Sequence, residues 1–168
     1  MLQVQQAVTE IQLQQVRSLL WDYAAWMKGC YPDFSARLEA YFAAATYGAE
    51  LAGLPGVYAP PLGRLLLARW EDQPAGCVAL RPLEATDCEM KRMFVATPFQ
   101  GHGVGRALAE TLIREAQTLG YTRMRLEVGF RQVAAHGLYH SLGFTAMEPY
   151  YQLPEEAKGG VVFMELHL

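Results

Sequence analysis

Apolar residues recur at two different spacings along this chain, and the spacing predicts where helices and strands lie. An interval of three to five residues is typical of an amphipathic helix, whereas short runs of branched and aromatic residues between turn signals are typical of strands. On this basis helices are predicted over residues 10–28, 34–49, 104–119 and 133–142, and strands over residues 1–8, 64–70, 76–81, 89–95, 123–128 and 161–166. Glycines stand where three of these helices should end, at Gly29, Gly120 and Gly143.

The order of the predicted elements indicates an α+β protein. The chain runs strand, two helices, three strands, helix, strand, helix, strand, and the three consecutive strands after residue 64 are expected to be antiparallel. No internal repeat, low-complexity tract or linker divides the sequence. We therefore expect a single domain over residues 1–168.

Composition narrows the class of protein. The 168 residues are 52% hydrophobic, which is enough for one core without disulfides or metals, and the net charge is -3. A slightly acidic balance disfavours a nucleic-acid binder. No apolar run approaches the roughly 20 residues of a membrane span, and residues 1–6 lack the basic start and apolar segment of a secretory signal. These observations favour a cytoplasmic protein that binds neither nucleic acid nor membrane.

Cysteine usage gives no sign of a metal or disulfide framework. Cys30, Cys77 and Cys88 are an odd number without Cys-x-x-Cys spacing. We therefore predict no metal site.

A glycine-rich segment between a predicted strand and a predicted helix is the most informative part of the sequence. Residues 100–106 read Gln-Gly-His-Gly-Val-Gly-Arg, and the first N–H groups of the helix that follows have no partner within it. With the positive end of the helix dipole, they form a site suited to a phosphate or pyrophosphate. A tight turn that needs positive φ is the alternative explanation.

Two familiar phosphate motifs do not match this segment. A Walker loop needs Lys and then Ser or Thr after its last glycine, but Gly105 is followed by Arg106 and Ala107. A dinucleotide fingerprint that begins at Gly101 would need glycine at position 106. Spacing therefore excludes the first motif and disfavours the second.

Two segments resemble the GNAT family of N-acetyltransferases. The run from Cys88 to Leu108 closely resembles the family's acetyl-CoA motif, whose pattern [Arg/Gln]-x-x-Gly-x-[Gly/Ala] is met by Gln100, Gly103 and Gly105. The run from Ala135 to Phe144 is similar to the family's Ala-x-x-Leu-Tyr-x-x-x-Gly-Phe segment.

The resemblance implies a fold, an activity and a donor. It implies a single GNAT-like domain, layered α/β/α, with a mixed and mostly antiparallel central sheet flanked by helices. The acetyl-CoA motif would cover about 88–119 and the second motif about 132–146. Acetyl-CoA would be the acyl donor, and the acceptor would be a primary amine of a small molecule or peptide.

The resemblance also implies where the donor binds. The backbone of the strand at 93–95 would pair with the pantetheine arm, and the loop amides would hold the pyrophosphate. Gln132 occupies a position where family members often carry an Asn that contacts the arm. The expected contacts are Met93, Phe94, Val95, Gln100, Gly101, His102, Gly103, Val104, Gly105, Arg106 and Gln132.

Acetyl transfer to an amine needs a base and an acid. An amine with a pKa of about 10.4 is protonated at pH 7 and must lose a proton. Glu89 is the first candidate base and Glu127 the second, although either could be a strand carboxylate paired with a neighbouring Arg. Tyr139, in the second motif, is the expected general acid, because a phenol stays protonated at pH 7. A covalent route through Cys88 is disfavoured, since a buried strand thiol is usually inert.

The acceptor is less well defined by the sequence. Residues 26–34 and 147–159 are expected to surround it, and they hold aromatic residues beside Asp33, Glu155 and Glu156, which would suit a small cationic amine or a peptide amine. The main rival function is a non-catalytic acyl-CoA-binding sensor or interaction module, and a nucleotide-phosphate binder is a third possibility. The C-terminal strand is expected to be exposed, and pairing through it would allow a homodimer.

Overall fold

The computed structural model describes residues 1–168, which form seven strands and five α-helices. The strands are β1 (Leu2–Gln6), β2 (Arg64–Trp70), β3 (Gln73–Pro82), β4 (Asp87–Val95), β5 (Arg123–Gly129), β6 (Thr145–Met147) and β7 (Val161–His167). The helices are α1 (Glu10–Cys30), α2 (Ser35–Tyr41), α3 (Ala49–Ala52), α4 (Val104–Thr118) and α5 (Val133–Ser141).

All seven strands form one sheet, in the order β1-β2-β3-β4-β5-β7-β6. Every neighbouring pair is antiparallel except β4 and β5, which are parallel. The sheet is therefore mixed and mostly antiparallel, as predicted.

The sheet is covered on both faces because its central strands are apolar on both faces. In β2 and β3, Leu66 and Val78 belong to a buried cluster with α4, whereas Leu65 and Cys77 belong to a second cluster with α1. Successive strand residues point to opposite faces, so one strand supplies both clusters. This arrangement confirms the layered α+β fold.

The helical region before β2 differs from the prediction. Helix α1 does not end at Gly29 but continues to Cys30. It ends there because the next residue, Tyr31, precedes Pro32, and a residue before proline is disfavoured in the α conformation. The predicted second helix is broken into a 3₁₀ turn, α2, a π-helical turn and α3.

The break in the second helix serves to bury two aromatic rings. Phe42 and Tyr47 are both buried, with ring centroids 4.8 Å apart. In a straight α-helix, residues five positions apart would point about 140° away from each other. Bringing both rings into the core therefore requires a change in helix geometry between them.

The C-terminal strand is not an edge strand. β7 lies between β5 and β6, and the three-residue β6, which the sequence pattern did not reveal, forms the edge. The expectation that a dimer forms through an exposed C-terminal strand is therefore wrong, since β5 and β6 already occupy the two sides of β7. No helix in the structure has both the length and the apolar character to span a membrane.

Candidate active site

The glycine-rich loop presents a row of free backbone N–H groups before α4. Gly101 and Gly103 have φ of 80° and 81°, which favour glycine, and a side chain at either would project into open space. Ala107 donates to the Gly103 carbonyl at 3.0 Å, whereas the six N–H groups of residues 101–106 donate to no protein acceptor. The loop therefore has the geometry of an anion cradle.

Side chains of the same segment fasten the loop to its surroundings. Gln100 Nε2 donates to the Val95 carbonyl at 3.1 Å, and His102 Nδ1 lies 2.9 Å from the Gln100 carbonyl. Arg106 donates to Ser141 at 2.7 Å, at the end of α5. Because these side chains are engaged in the protein, the backbone is the part of the loop that is free to hold a ligand.

Beside this loop, strands β4 and β5 part from each other. They pair only over three residues, ending at Glu89 and Arg125. Beyond that point, β4 continues to Val95 and β5 to Gly129 without pairing to each other. The parting leaves an open edge of β4 at residues 93–95, where the sequence predicts the donor arm.

A β-bulge shapes this open part of β4. Its register with β3 shifts between Cys77 and Ala79, and Arg92, which lies within the bulge, has φ of 57°. A left-handed conformation is unfavourable for a non-glycine residue and persists only where surrounding contacts impose it.

Contacts to the side chain of Arg92 supply that constraint. The guanidinium donates twice to Glu50, at 2.9 and 2.7 Å, and once to the Tyr41 hydroxyl at 3.0 Å. It also lies over the Tyr47 ring, and Tyr58 donates to Glu50 at 2.7 Å. Since the Arg92 side chain is only 8% exposed, α3 holds the bulge through a buried ion pair.

A cavity of about 440 Å³ opens between the parted strands, α1, α2 and the segment before β7. Its aromatic lining consists of Tyr23, Tyr31, Phe34, Tyr41, Phe42, Phe130, Tyr139 and Tyr151. Its charged lining consists of Arg37, Glu89, Lys91, Arg92 and Glu127. The size and mixed lining suit a small organic ligand.

The two candidate bases both line this cavity but have different partners. Glu89 is almost fully buried, and it binds Arg81 at 2.8 Å, lies 3.7 Å from Lys91 and accepts from the Tyr150 hydroxyl at 2.6 Å. Glu127 is half-buried and pairs with no cation; its partner is the Tyr151 hydroxyl. Glu89 is therefore neutralised within the protein, whereas the charge of Glu127 faces the cavity.

Tyr139 projects from α5 into the same cavity, with its ring against Phe144 in the core. Burial raises the pKa of its phenol above the ordinary value of 10. Its hydroxyl makes no hydrogen bond within the protein, and the hydroxyl oxygen remains accessible to solvent. A buried phenol normally finds a partner, so this free hydroxyl is suited to a ligand.

Gln132 lies at the start of α5 and lines the cavity. Its Oε1 accepts from the Gly129 N–H at 2.8 Å, and His136 Nε2 lies 3.0 Å from the Gly129 carbonyl. A side chain at Gly129 would overlap Tyr31 and Gln132. The oxygen of Gln132 is thus committed to the protein, and its amide nitrogen is the group left for a ligand.

The segments expected to surround the acceptor contribute only part of what was predicted. Their aromatic members Tyr31, Phe34 and Tyr151 do line the cavity. The predicted carboxylates do not: Asp33 pairs with Arg131, and Glu155 and Glu156 are exposed outside the lining. The expectation of an anionic acceptor wall built from these residues is wrong, because each carboxylate faces solvent.

Sequence reasoning missed Arg37, which lines the cavity. It stands one helical turn after Phe34 on the face of α2 that is turned towards the protein. The signal that could have identified Arg37 is its helical spacing from Phe34, which the sequence places beside the acceptor.

Cys88 is remote from this chemistry. It is fully buried in the cluster beneath α4 and does not line the cavity. Burial, reinforced by the charge of Asp87, raises the pKa of its thiol to about 12. The structure places no group of three or more His, Cys, Asp or Glu side chains where they could hold a metal ion.

Comparison with known proteins agrees with this geometry. Residues 13–144 match the acetyltransferase (GNAT) family. The chain is similar to an uncharacterized N-acetyltransferase of Schizosaccharomyces pombe, with 39% identity over 121 residues that cover 71% of this chain and 72% of that protein. Several other curated relatives are matched over only 37% to 64% of their own lengths.

Solved structures share the fold over the whole chain. An acetyltransferase of the GNAT family from Staphylococcus aureus is similar with a TM-score of 0.75 and 14% identity, over 99% of both chains. The PaiA N-acetyltransferase of Thermoplasma acidophilum, solved in complex with coenzyme A, gives a TM-score of 0.73 and 13% identity, over 100% of this chain and 99% of that one. The chain therefore belongs to the GNAT acetyltransferase family, and it is an N-acetyltransferase whose acyl donor is acetyl-CoA.

Proposed function

We propose that this chain transfers the acetyl group directly from acetyl-CoA to a primary amine bound in the cavity, with Glu127 as the base and Tyr139 as the acid. One observation carries the proposal. A carboxylate without a cation partner and a phenol without a hydrogen-bond partner face the same cavity, where β4 and β5 part. Direct transfer needs both groups.

Glu127 is better suited than Glu89 to remove a proton from the amine. The Glu89 carboxylate is already engaged by the Arg81 guanidinium and by the Tyr150 hydroxyl, so it is less free to meet an amine in the cavity. The carboxylate of Glu127 can attract an ammonium group and accept its proton, directly or through water. The sequence ranked Glu89 first, and the partners of the two carboxylates are our reason for proposing Glu127 instead.

Tyr139 supplies the proton that the departing thiolate needs. As the amine nitrogen bonds to the acetyl carbon, the C–S bond breaks, and the sulfur keeps the electron pair and takes the Tyr139 proton. The nitrogen gives up its remaining excess proton and Glu127 gives up the proton that it accepted, both to solvent. Solvent returns one proton to the phenol, so each turnover releases one proton. Burial raises the pKa of the phenol, but it also raises that of a thiol, so acid and leaving group stay matched within the cavity.

The remaining parts of the donor site are also proposals. The free N–H groups of residues 101–106 are suited to the pyrophosphate, and a backbone N–H at 93–95 is suited to polarise the thioester carbonyl. The amide nitrogen of Gln132 is the group that would meet the donor arm. Val95 is a weaker candidate than the sequence implies, because Gln100 already binds its carbonyl.

Two glycines of the loop give a matched test of the donor site. Gly103→Ala is expected to weaken acetyl-CoA binding roughly tenfold, because alanine disfavours φ of 81° by about 1 kcal/mol or more and the loop amides would turn away. Gly105→Ala is the control, since Gly105 lies in the right-handed helix with ordinary contacts at 3.5 Å. Titration calorimetry measures both affinities, and equal affinities would remove the loop backbone from the donor site.

The base is tested by comparing Glu127→Gln with Glu89→Gln across pH. We expect Glu127→Gln to lower kcat/KM by about tenfold at pH 7, and the defect to shrink at higher pH, where the amine loses its proton without help. Glu89→Gln should keep the parent pH profile, although it leaves Arg81 without its partner. Thiol release from acetyl-CoA measures both rates. If Glu89→Gln alone changes the profile, the base is Glu89, and if neither variant changes it, the proposed base is wrong.

A further inference from the structure

Most charges that face the cavity are neutralised by the protein itself. Arg92 is held by two hydrogen bonds to Glu50, and Glu89 is held by Arg81 with Lys91 nearby. Two charged groups of the lining have no such partner: the carboxylate of Glu127 and the guanidinium of Arg37. These two groups are the charges of the lining that no ion pair engages.

The structure holds Arg37 in place without neutralising it. Its Nη1 donates to the backbone carbonyl of Glu156 at 3.3 Å, and no carboxylate lies within 4.0 Å of the guanidinium. The same Nη1 lies 2.8 Å from the position that a Cβ at residue 160 would take, so Gly160 leaves the space that the guanidinium fills. Arg37 therefore joins α2 to the segment before β7 and keeps its charge free.

Glu127 and Arg37 lie near opposite ends of one short stretch of the cavity wall. Phe130 donates to the Gly160 carbonyl at 3.2 Å, and Gly129 pairs with Val161, so the backbone beside Arg37 adjoins the end of β5. Glu127 lies two residues back along β5 from Gly129, which is about 7 Å of strand. Both side chains line the same cavity, so one ligand bound there can face both charges.

A ligand with an amine at one end and a carboxylate at the other complements this pair. The amine binds beside Glu127, as acetyl transfer requires, and the carboxylate meets the fork of guanidinium N–H groups, which is well suited to a carboxylate. Apolar and aromatic side chains between and around the two charges, among them Tyr31, Phe34 and Leu153, suit an uncharged side chain. A peptide terminus is a poorer match, because it has an amide where the free carboxylate would be.

We infer that the acceptor is a small amino acid with a free carboxylate, and that Arg37 is the residue that selects it. This inference rests on the proposed transfer to an amine at Glu127. It replaces the cationic or peptide amine that the aromatic and acidic residues of the acceptor segments suggest in the sequence.

The test compares acids with amides and amines of the same skeleton. L-Phenylalanine, L-phenylalaninamide and phenethylamine form one set, and L-leucine, L-leucinamide and isoamylamine form another. Initial rates of CoA thiol release are measured for each with wild-type protein. We expect kcat/KM for the acids to exceed that for the amides by roughly tenfold or more, the range of a charge-assisted hydrogen bond. The amine of an amino-acid amide loses its proton more easily than that of the acid, so amine basicity cannot produce this preference.

Variants of Arg37 identify the source of the preference. Arg37→Gln is expected to raise KM for the acids by roughly 10- to 100-fold and to leave the amides unchanged, with partial recovery in Arg37→Lys. KM for acetyl-CoA should not change. The matched control is Arg114→Gln, because Arg114 is an exposed arginine of α4 whose side chain is hydrogen-bonded only to Thr111. This variant should behave as wild type.

The outcomes separate this inference from the proposed function. Amides or amines that react as well as the acids, or acids whose KM is unchanged in Arg37→Gln, would overturn the inference and leave acetyl transfer standing. Protein that binds acetyl-CoA in calorimetry but acetylates neither free amino acid would also overturn the inference and leave transfer to another primary amine standing.

Discussion

Tyr139→Phe is expected to lower kcat by roughly 10²-fold or more, with little change in the affinity for acetyl-CoA. The ring of Tyr139 packs in the core, and phenylalanine preserves that packing. Only the hydroxyl is lost, and it has no hydrogen-bond partner in the protein. The free energy of unfolding should therefore hardly change, and the whole effect should fall on the transfer step. Steady-state kinetics, donor titration and urea unfolding measure the three quantities.

A second phenol provides the control for this variant. Tyr121 lies in the same buried cluster, and its hydroxyl donates to the Leu62 carbonyl at 2.9 Å, away from the cavity. Tyr121→Phe should cost about 1 kcal/mol of stability and leave kcat unchanged. If Tyr139→Phe keeps wild-type turnover, Tyr139 is not the general acid.

Glu50→Gln is expected to destabilise the protein by about 3 kcal/mol, because it leaves the charge of Arg92 buried without its partner. Two hydrogen bonds to that guanidinium are affected, and the Arg92 side chain is almost inaccessible to water. The same variant should lower kcat more than it changes either KM, because the pair holds the bulge next to the β4 amides that we propose for the donor site. Urea unfolding and steady-state kinetics measure the two effects.

The destabilisation in Glu50→Gln should depend on pH. Burial by itself would raise the pKa of Glu50, but hydrogen bonds from Arg92 and Tyr58 and the charge of Arg92 outweigh burial, so the pKa is lowered. A carboxylate with a lowered pKa contributes stability above its unfolded value of about 4.3, and that contribution is lost as the pH falls through the folded value. The difference between wild type and Glu50→Gln should therefore be full at pH 7 and shrink below about pH 4.

An exposed ion pair provides the comparison for Glu50→Gln. Glu10 binds Arg17, but the Glu10 side chain is 75% exposed. Glu10→Gln should cost less than about 1 kcal/mol. If the two substitutions lower the free energy of unfolding equally, burial of Arg92 does not make its ion pair more stabilising than an exposed one.

The choice between the two carboxylates shows why part of the site could not be predicted from sequence. Glu89 and Glu127 both lie on central strands beside basic residues, so the sequence does not show which of them pairs with a cation. The partners that separate them come from elsewhere: Arg81 from the neighbouring strand, Tyr150 from 61 positions along the chain, and Tyr151 from 24 positions along it. Side-chain pairing across a sheet depends on register, which local sequence does not specify.

The sequence by itself determined the features that depend on neighbouring residues. The glycine loop, its helix and the Tyr139 segment are encoded within short stretches, because helix ends and positive-φ turns depend on residues a few positions apart. Most of the element order follows from periodicity in the same way, whereas the mixed sheet is implied by the resemblance that these segments carry. These features were sufficient to indicate the family and the donor.

Only the tertiary structure decided which side chains line the cavity. The cavity joins α1, α2, β4, β5 and the segment before β7, which are separated by up to about 140 positions in the chain. In the folded chain, the predicted carboxylates Asp33, Glu155 and Glu156 lie outside the cavity, and Arg37 lies in its wall. The folded sheet also has β6, and not the C-terminal strand, at its edge. Burial and pairing of a charge depend on elements that meet only after folding, so their outcome is a property of the packed chain.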